Sequence, residues 1–149
     1  MKIVLYEPEI PPNTGNIARL CAATGTPLHL IEPLGFSLED KYLKRAGLDY
    51  WPHVDVTVHP DLDHFLESHD GGVVCSSARG GTLLHDFAFK PNDAILIGPE
   101  TRGIPAEVLD RFTRHVRIPI RNAVRSLNQS TATGILLYQA LGRTGQLPG

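Results

Sequence analysis

Residues 94–120, AILIGPETRGIPAEVLDRFTRHVRIPI, carry the reading that decides the fold class. Ala94 to Ile97 is a short apolar run, and Gly98-Pro99 ends it because proline supplies no ladder donor and glycine invites a turn. Pro105 stands where a helix can begin: its φ is preset, and a missing N–H costs nothing in a first turn. PAEVLDRF (105–112) then reads as a short helix and HVRIPI (115–120) as another strand. A strand that is apolar without alternation is buried on both faces, as strands are in parallel sheets covered by helices.

The same alternation extends outward in both directions. KIVLY (2–6), LHLI (28–31), the alternating Val54, Val56 and Val58, and GVVCSS (72–77) read as further strands. Between them, NTGNIARLCAATG (13–25) places Ile17, Leu20, Cys21 and Thr24 at i, i+3, i+4 and i+7, with Asn13 or Thr14 as a cap and Gly25 as a stop. LEDKYLKRAG (38–47), residues 61–68 and the segment from Ser126 to Leu141 read as the remaining helices. The expected fold class is α/β, a single-domain, mostly parallel sheet with helices on both faces, covering residues 1–149 as one domain. A chain of 149 residues and 16.3 kDa has room for one core of this kind.

Composition narrows the function classes. With 42% hydrophobic and 20% charged residues the chain is neither disordered nor fibrous. No apolar run approaches the ~20 residues that span a bilayer, so no membrane role is expected. MKIVLYEPEIPP reads as a first strand rather than a secretory leader. Cys21 and Cys75 are too few for a disulfide framework; both fall in core-like positions, and a cytoplasmic setting is expected. The loop after the first strand, EPEIPPNTG, is not a dinucleotide fingerprint, and neither a P-loop nor a nucleophile elbow is present. His59, His64 and His69 are five apart, which turns each by about 140° on a helix, so no metal site is expected.

Charge is uneven along the chain. Arg111, Arg114, Arg117, Arg121, Arg125 and Arg143 face no acid from residue 111 onward, a charge of +6, leaving −8 on residues 1–110 (eight bases, sixteen acids). Such a tail either binds a polyanion or pairs with acids elsewhere in the fold. Ligands of parallel sheets bind in loops at the carboxyl ends of strands. Ser76–Gly81, Gly98–Gly103 and Ile118–Ile120 occupy such positions and would wall one rim with backbone amides. Arg19 lies off the apolar stripe of its helix, either solvated or set for an anion. Glu100 is not needed for the loop to fold, unless it pairs with Arg102. Arg125-Ser126-Leu127-Asn128 can be an N-cap with a base before it.

Five ordered blocks, YEPEIPPNTGNIARLCAATG, LHLIEPLGF, KRAGLDYW, ILIGPETRGIP and RIPIRNAVRSLNQS, resemble the SPOUT superfamily of knotted methyltransferases. They are most similar to the minimal branch, without an appended RNA-binding domain, that 2′-O-methylates the wobble nucleotide (cytidine or uridine) in the anticodon loop of certain tRNAs. The resemblance implies a deep trefoil knot near the C-terminus, S-adenosyl-L-methionine as methyl donor and a homodimer. It puts the cofactor on the backbone of Ser76, Gly98, Ile118 and Ser126, and Arg19 at the reacting hydroxyl. A guanidinium has no acceptor and a pKa above ~12, so Arg19 is better suited to holding a phosphate and stabilising a developing alkoxide than to acting as a base. Glu100 is the carboxylate expected to orient the site, with Ser126 and Asn128 positioning cofactor and ribose.

One block departs from the pattern. Where the family usually reads S-x-N-L-S-N-A, this chain has Ser126-Leu127-Asn128-Gln129-Ser130-Thr131-Ala132. The change bears on any role for a second asparagine and on tRNA preference. It also keeps one rival open, a non-catalytic RNA-binding dimer with a vestigial cofactor pocket; a second rival, a small-molecule α/β enzyme, rests on fold analogy alone. Thr133, Gly134, Leu137, Tyr138 and Leu141 on the final helix would pack either a second copy or the chain's own core.

Overall fold

A computed structural model describes residues 1–47 and 51–149. The elements run β1 (Lys2–Tyr6), α1 (Pro11–Thr24), β2 (Leu28–Ile31), α2 (Lys41–Gly47), β3 (Val56–His59), α3 (Leu62–Ser68), β4 (Val73–Ser76), β5 (Thr82–Leu83), β6 (Ala94–Ile97), α4 (Ala106–Leu109), β7 (His115–Arg117) and α5 (Gln129–Arg143), with 3-10 turns at Trp51–His53 and Leu84–Asp86. The strands form one sheet in the order β3-β2-β1-β6-β4-β7-β5, and its recorded pairings are all parallel. The expected α/β class with a parallel sheet is what the chain adopts.

Side-chain alternation sorts the core into two layers. Ile3 and Leu5 of β1, with Leu28, Leu30, Ile95 and Ile97, pack on Ile17, Ala18 and Cys21 of α1 and on Leu136, Leu137, Ala140 and Leu141 of α5. Val4, Ile31, Cys75 and Leu96 point the other way, onto Leu62 and Phe65 of α3 and Ile104 and Val108 around α4. Register fixes this: Ile3 pairs with Leu28 and Ile95, Val4 with His29 and Leu96, so like faces align across the sheet centre. Burial pushes the Cys21 and Cys75 thiols up to about 12, which leaves both as inert core groups.

Several boundaries differ from the sequence reading. Helix α1 begins at Pro11, with Ile10 as N-cap and no side-chain cap; Asn13 and Thr14 lie buried inside it. The tandem prolines set the first turn ahead of the expected cap. Strand β7 stops at Arg117, just before Ile118-Pro119, and α5 starts at Gln129 because Asn128 supplies the cap, accepting from Ser130 and Thr131 N–H. Asp61 caps α3 through the His64 amide. Strand β5, two residues long, has no periodicity to announce it. Of the KRAGLDYW block, Leu48, Asp49 and Tyr50 lie outside the described residues.

The sheet order has a further consequence. Strand β5 lies beyond β7, so residues 77–81 step across the place that β7 takes later in the chain. The approach is close: Gly81 has φ +83, and a Cβ there would meet the His115 carbonyl oxygen at 2.8 Å.

On the face of α3, His29 Nδ1 lies 2.8 Å from His59 Nε2, and His59 Nδ1 lies 2.8 Å from His64 Nδ1. The rings hand hydrogen bonds from one to the next; among the described residues no three His, Cys, Asp or Glu side chains are placed to hold a metal. Burial first, then the neighbouring His59 and Lys2, lower the His29 pKa from 6.5 to about 4, and burial lowers that of His59 as well. His29 therefore stays neutral in the fold down to about pH 4 and His59 is held against protonation, while the unfolded chain takes up protons below about pH 6.5. Stability is expected to hold above pH 6.5 and to fall as the pH drops toward 4. With the partial exposure of His29 discounted, the loss by pH 5 is on the order of 1 kcal/mol, or about 2–4 °C in Tm. Thermal unfolding from pH 7.5 to 5 measures it, and a flat profile would show solvated imidazoles.

Candidate functional site

Strands β6, β4 and β7 are neighbours, so their carboxyl ends deliver Gly98, Ser76 and Ile118 side by side. Residues 125–129, leading into α5, close the space above them. The result is a cleft of about 620 Å3 whose lining includes Ser76, Gly98, Glu100, Ile118, Ser126 and Asn128, together with the apolar Ile97, Ile104 and Leu127. Six of the seven residues singled out from the sequence thus share one cavity, of a size that suits a small ligand (roughly 300–1,000 Å3). Gly98 is required by close approach: a Cβ there would sit 2.2 Å from the Ile104 nitrogen and 2.4 Å from the Gly103 carbonyl carbon.

Glu100 does not pair with Arg102. Its carboxylate accepts from the backbone N–H of Glu9 at 3.0 Å and of Ile10 at 2.6 Å, and from Gln129 Nε2 at 3.2 Å. Glu9 reciprocates, accepting from the Thr101 amide at 3.0 Å and the Thr101 hydroxyl at 2.7 Å, which holds its own carboxyl below the usual range. Arg102 instead donates to Glu7 at 2.6 Å, across the same two loops. Asn128 caps α5 through Oδ1 and donates from Nδ2 to Asn13 Oδ1 at 3.1 Å, tying the start of α5 to α1. These contacts lock the β1–α1 loop onto the cleft wall. Glu9, Asn13 and Gln129 were not assigned to the site from sequence; Asn13 stood out only as a candidate cap and Gln129 only as a departure from the family block, and nothing local marks Glu9.

Arg19 is exposed on α1 and is not among the cleft-lining residues, so the cleft of its own chain does not hold it. The rim carries Arg79, Arg102 and Arg125. Half of the basic tail is spent within the fold: Arg111 pairs with Asp63 at 2.5 Å, Arg114 with Asp93 at 2.5 Å, and Arg143 donates to the His85 carbonyl at 2.9 Å. Arg121 and Arg125 remain exposed near the cleft. The pairing reading of the tail therefore holds for Arg111, Arg114 and Arg143.

A parallel sheet whose adjacent strand-end loops wall one cleft defines an α/β protein that takes a ligand at its carboxyl edge. The chain belongs to the SpoU rRNA Methylase family, whose model matches residues 1–138. A protein of Methylovorus glucosotrophus named tRNA (cytidine(34)-2'-O)-methyltransferase is 51% identical over 141 residues, covering 93% of this chain and 92% of that one. An Escherichia coli K12 protein of the same name is 47% identical over 148 residues, covering 97% and 94%. A structure solved in work on the 2-OH methylation of C/U34 on tRNA superposes with a TM-score of 0.91 at 51% identity, covering 95% of this chain and 94% of that one. The AdoMet complex of AviRb from Streptomyces viridochromogenes, 22% identical, shares the fold with a TM-score of 0.87 over 96% of this chain and 60% of that chain.

Proposed function

We propose that this protein transfers a methyl group from S-adenosylmethionine to a ribose 2′-hydroxyl of tRNA, at the wobble cytidine or uridine of the anticodon loop. The observation that carries the reading is the meeting of Ser76, Gly98, Ile118 and Ser126 in one cleft, in a chain about half identical, end to end, to proteins named for that reaction. The residues fit the cofactor: the loops present backbone groups, and Ile97, Ile104, Ile118 and Leu127 offer an apolar wall for an adenosyl group. When bound, the donor supplies an electrophilic sulfonium methyl and most of the driving force.

The chain's own groups then bind, align and exclude water. Ser76, Gly98, Ile118 and Ser126 hold the cofactor; Glu100 and Asn128 orient the walls; Arg19 binds the phosphate beside the reacting sugar and stabilises the alkoxide that develops as the 2′-hydroxyl gives its proton to water. Arg19 lies outside the cleft of its own chain, which supports a homodimer in which a second copy brings it to the substrate. Thr133, Leu137 and Leu141 face the chain's own core, but Ile135 and Tyr138 on α5 stay 39% and 46% exposed and are available to a second copy. The placement of β7 between β4 and β5 supports the deep C-terminal knot. Residues 1–149 act as one domain, and the setting is cytoplasmic.

The test is tritium transfer from labelled S-adenosylmethionine to bulk tRNA, followed by mass-spectrometric mapping of the ribose. RNA binding with neither transfer nor heat on cofactor addition would favour the non-catalytic dimer. Affinity for tRNA should also be salt-dependent. If Arg79, Arg121 and Arg125 of two copies contact phosphates, binding falls about a hundredfold or more between 50 and 200 mM salt. An affinity insensitive to salt, or sedimentation as a 16.3 kDa species, would count against this interface.

A further inference from the structure

Gln129, the first residue of α5, is only 8% exposed. Its Nε2 donates to the Gly98 carbonyl at 3.0 Å and to Glu100 Oε1 at 3.2 Å. Both neighbours are acceptors, so the amide cannot be turned over without setting oxygen against oxygen. Its Oε1 is buried and has no hydrogen-bond partner among the described residues. An unsatisfied buried acceptor carries an uncompensated desolvation penalty, and an apolar side chain of similar volume would fill the position without it. Packing and stability therefore do not account for glutamine here.

Its two donated hydrogen bonds have a definite reach. They tie the Gly98 loop to α5 and fix one oxygen of Glu100, whose carboxylate in turn holds the Glu9 and Ile10 amides immediately before α1. Helix α1 carries Arg19. Glu100 joins the cleft loop to the start of that helix alongside the Thr101–Glu9 and Arg102–Glu7 contacts, and Gln129 is the side chain of α5 that fixes its Oε1.

We propose that Gln129 is a positioning residue, retained against stability, which aligns Glu100 so that the cleft loop and the Arg19 helix are held in one working register. The inference rests on the methyltransferase reading and goes beyond it, since that reading gives Gln129, a residue of the cleft wall, no role.

The experiment compares the full chain with Gln129→Met, which keeps the volume and loses the amide, and with Gln129→Glu. The methionine variant is expected to melt at the same temperature as the wild type or higher, and to bind S-adenosylmethionine within about threefold by calorimetry. Its kcat should fall about tenfold or more, the scale of a displaced positioning contact, and the Glu9 and Ile10 amides should exchange faster. The glutamate variant sets a second carboxylate against Glu100; protonation restores a donor, so its kcat relative to wild type should rise as the pH falls from 8 to 6. Wild-type kcat in Gln129→Met overturns the proposal, and so does a lower Tm accompanied by loss of cofactor binding, which would mark a packing role. If the wild type itself transfers no methyl group, the proposed activity falls; unchanged exchange at Glu9 and Ile10 would then overturn the positioning role as well, and faster exchange would support it.

Discussion

Replacing Arg19 with alanine is expected to lower methyl transfer to tRNA by about 10²–10³-fold, the loss that follows removal of one charge-stabilising donor. S-Adenosylmethionine affinity is expected to stay within about threefold of wild type, and calorimetry measures it. The separation follows from placement: Arg19 is exposed on α1 and does not line the cleft, so the cofactor walls are untouched by the change. The charge also sits off the apolar stripe of α1, whose buried members include Ile17, Ala18 and Cys21, so the helix should keep its packing. Arg19→Lys retains the cation but loses the planar fork that grips a phosphate through two oxygens, and should recover only part of the rate. Turnover near wild type in Arg19→Ala would remove this residue from the reaction, whereas loss of cofactor binding would place it at a different step.

The parts of this molecule legible in the sequence are those written in local periodicity. Strands β1, β2, β4 and β6 were readable because runs such as Ile3-Val4-Leu5 and Ile95-Leu96-Ile97 are apolar at every position, which only a sheet covered on both faces can bury. The cleft was readable because Ser76, Gly98 and Ile118 each follow a strand, and strand ends of a parallel sheet share an edge. What joins the site into one unit was not readable. Glu100 meets Glu9 and Ile10 across about ninety residues of chain, and no spacing in either loop anticipates that partnership. The same blindness applies to the arginine tail: Arg111 and Arg114 find Asp63 and Asp93 only after the sheet is assembled. Strand β5 stayed invisible because two residues, Thr82 and Leu83, carry no period, and its place beyond β7 is a property of topology alone.

That long-range class of contact also supplies the most severe stability change expected. Asp93 is fully buried and immediately precedes β6, the strand that ends at the cleft. Its carboxylate accepts from Arg114 Nη1 at 2.5 Å, from Arg114 Nη2 at 2.9 Å and from the Lys90 amide at 2.7 Å. Arg114, whose side chain is 25% exposed, also donates to the Ala88 carbonyl at 2.9 Å and lies 5.3 Å from the Phe87 ring centroid. The pair therefore joins the start of β6, the 87–90 turn and the segment entering β7. Asp93→Ala leaves a largely buried guanidinium and a backbone amide without their acceptor, which costs about 3–5 kcal/mol. Against a total stability of about 5–15 kcal/mol, that is a drop of about 6–20 °C in Tm. Asp93→Asn, which keeps the shape and one acceptor, should lose less. Because the pair sits at the end of the sheet opposite the cleft, methyl transfer at a temperature where the variant remains folded should stay near wild type. Urea unfolding with an unchanged m-value measures the loss; a cost below about 1 kcal/mol would place this pair with ordinary surface bridges and would assign the anchoring of β6 to its apolar contacts.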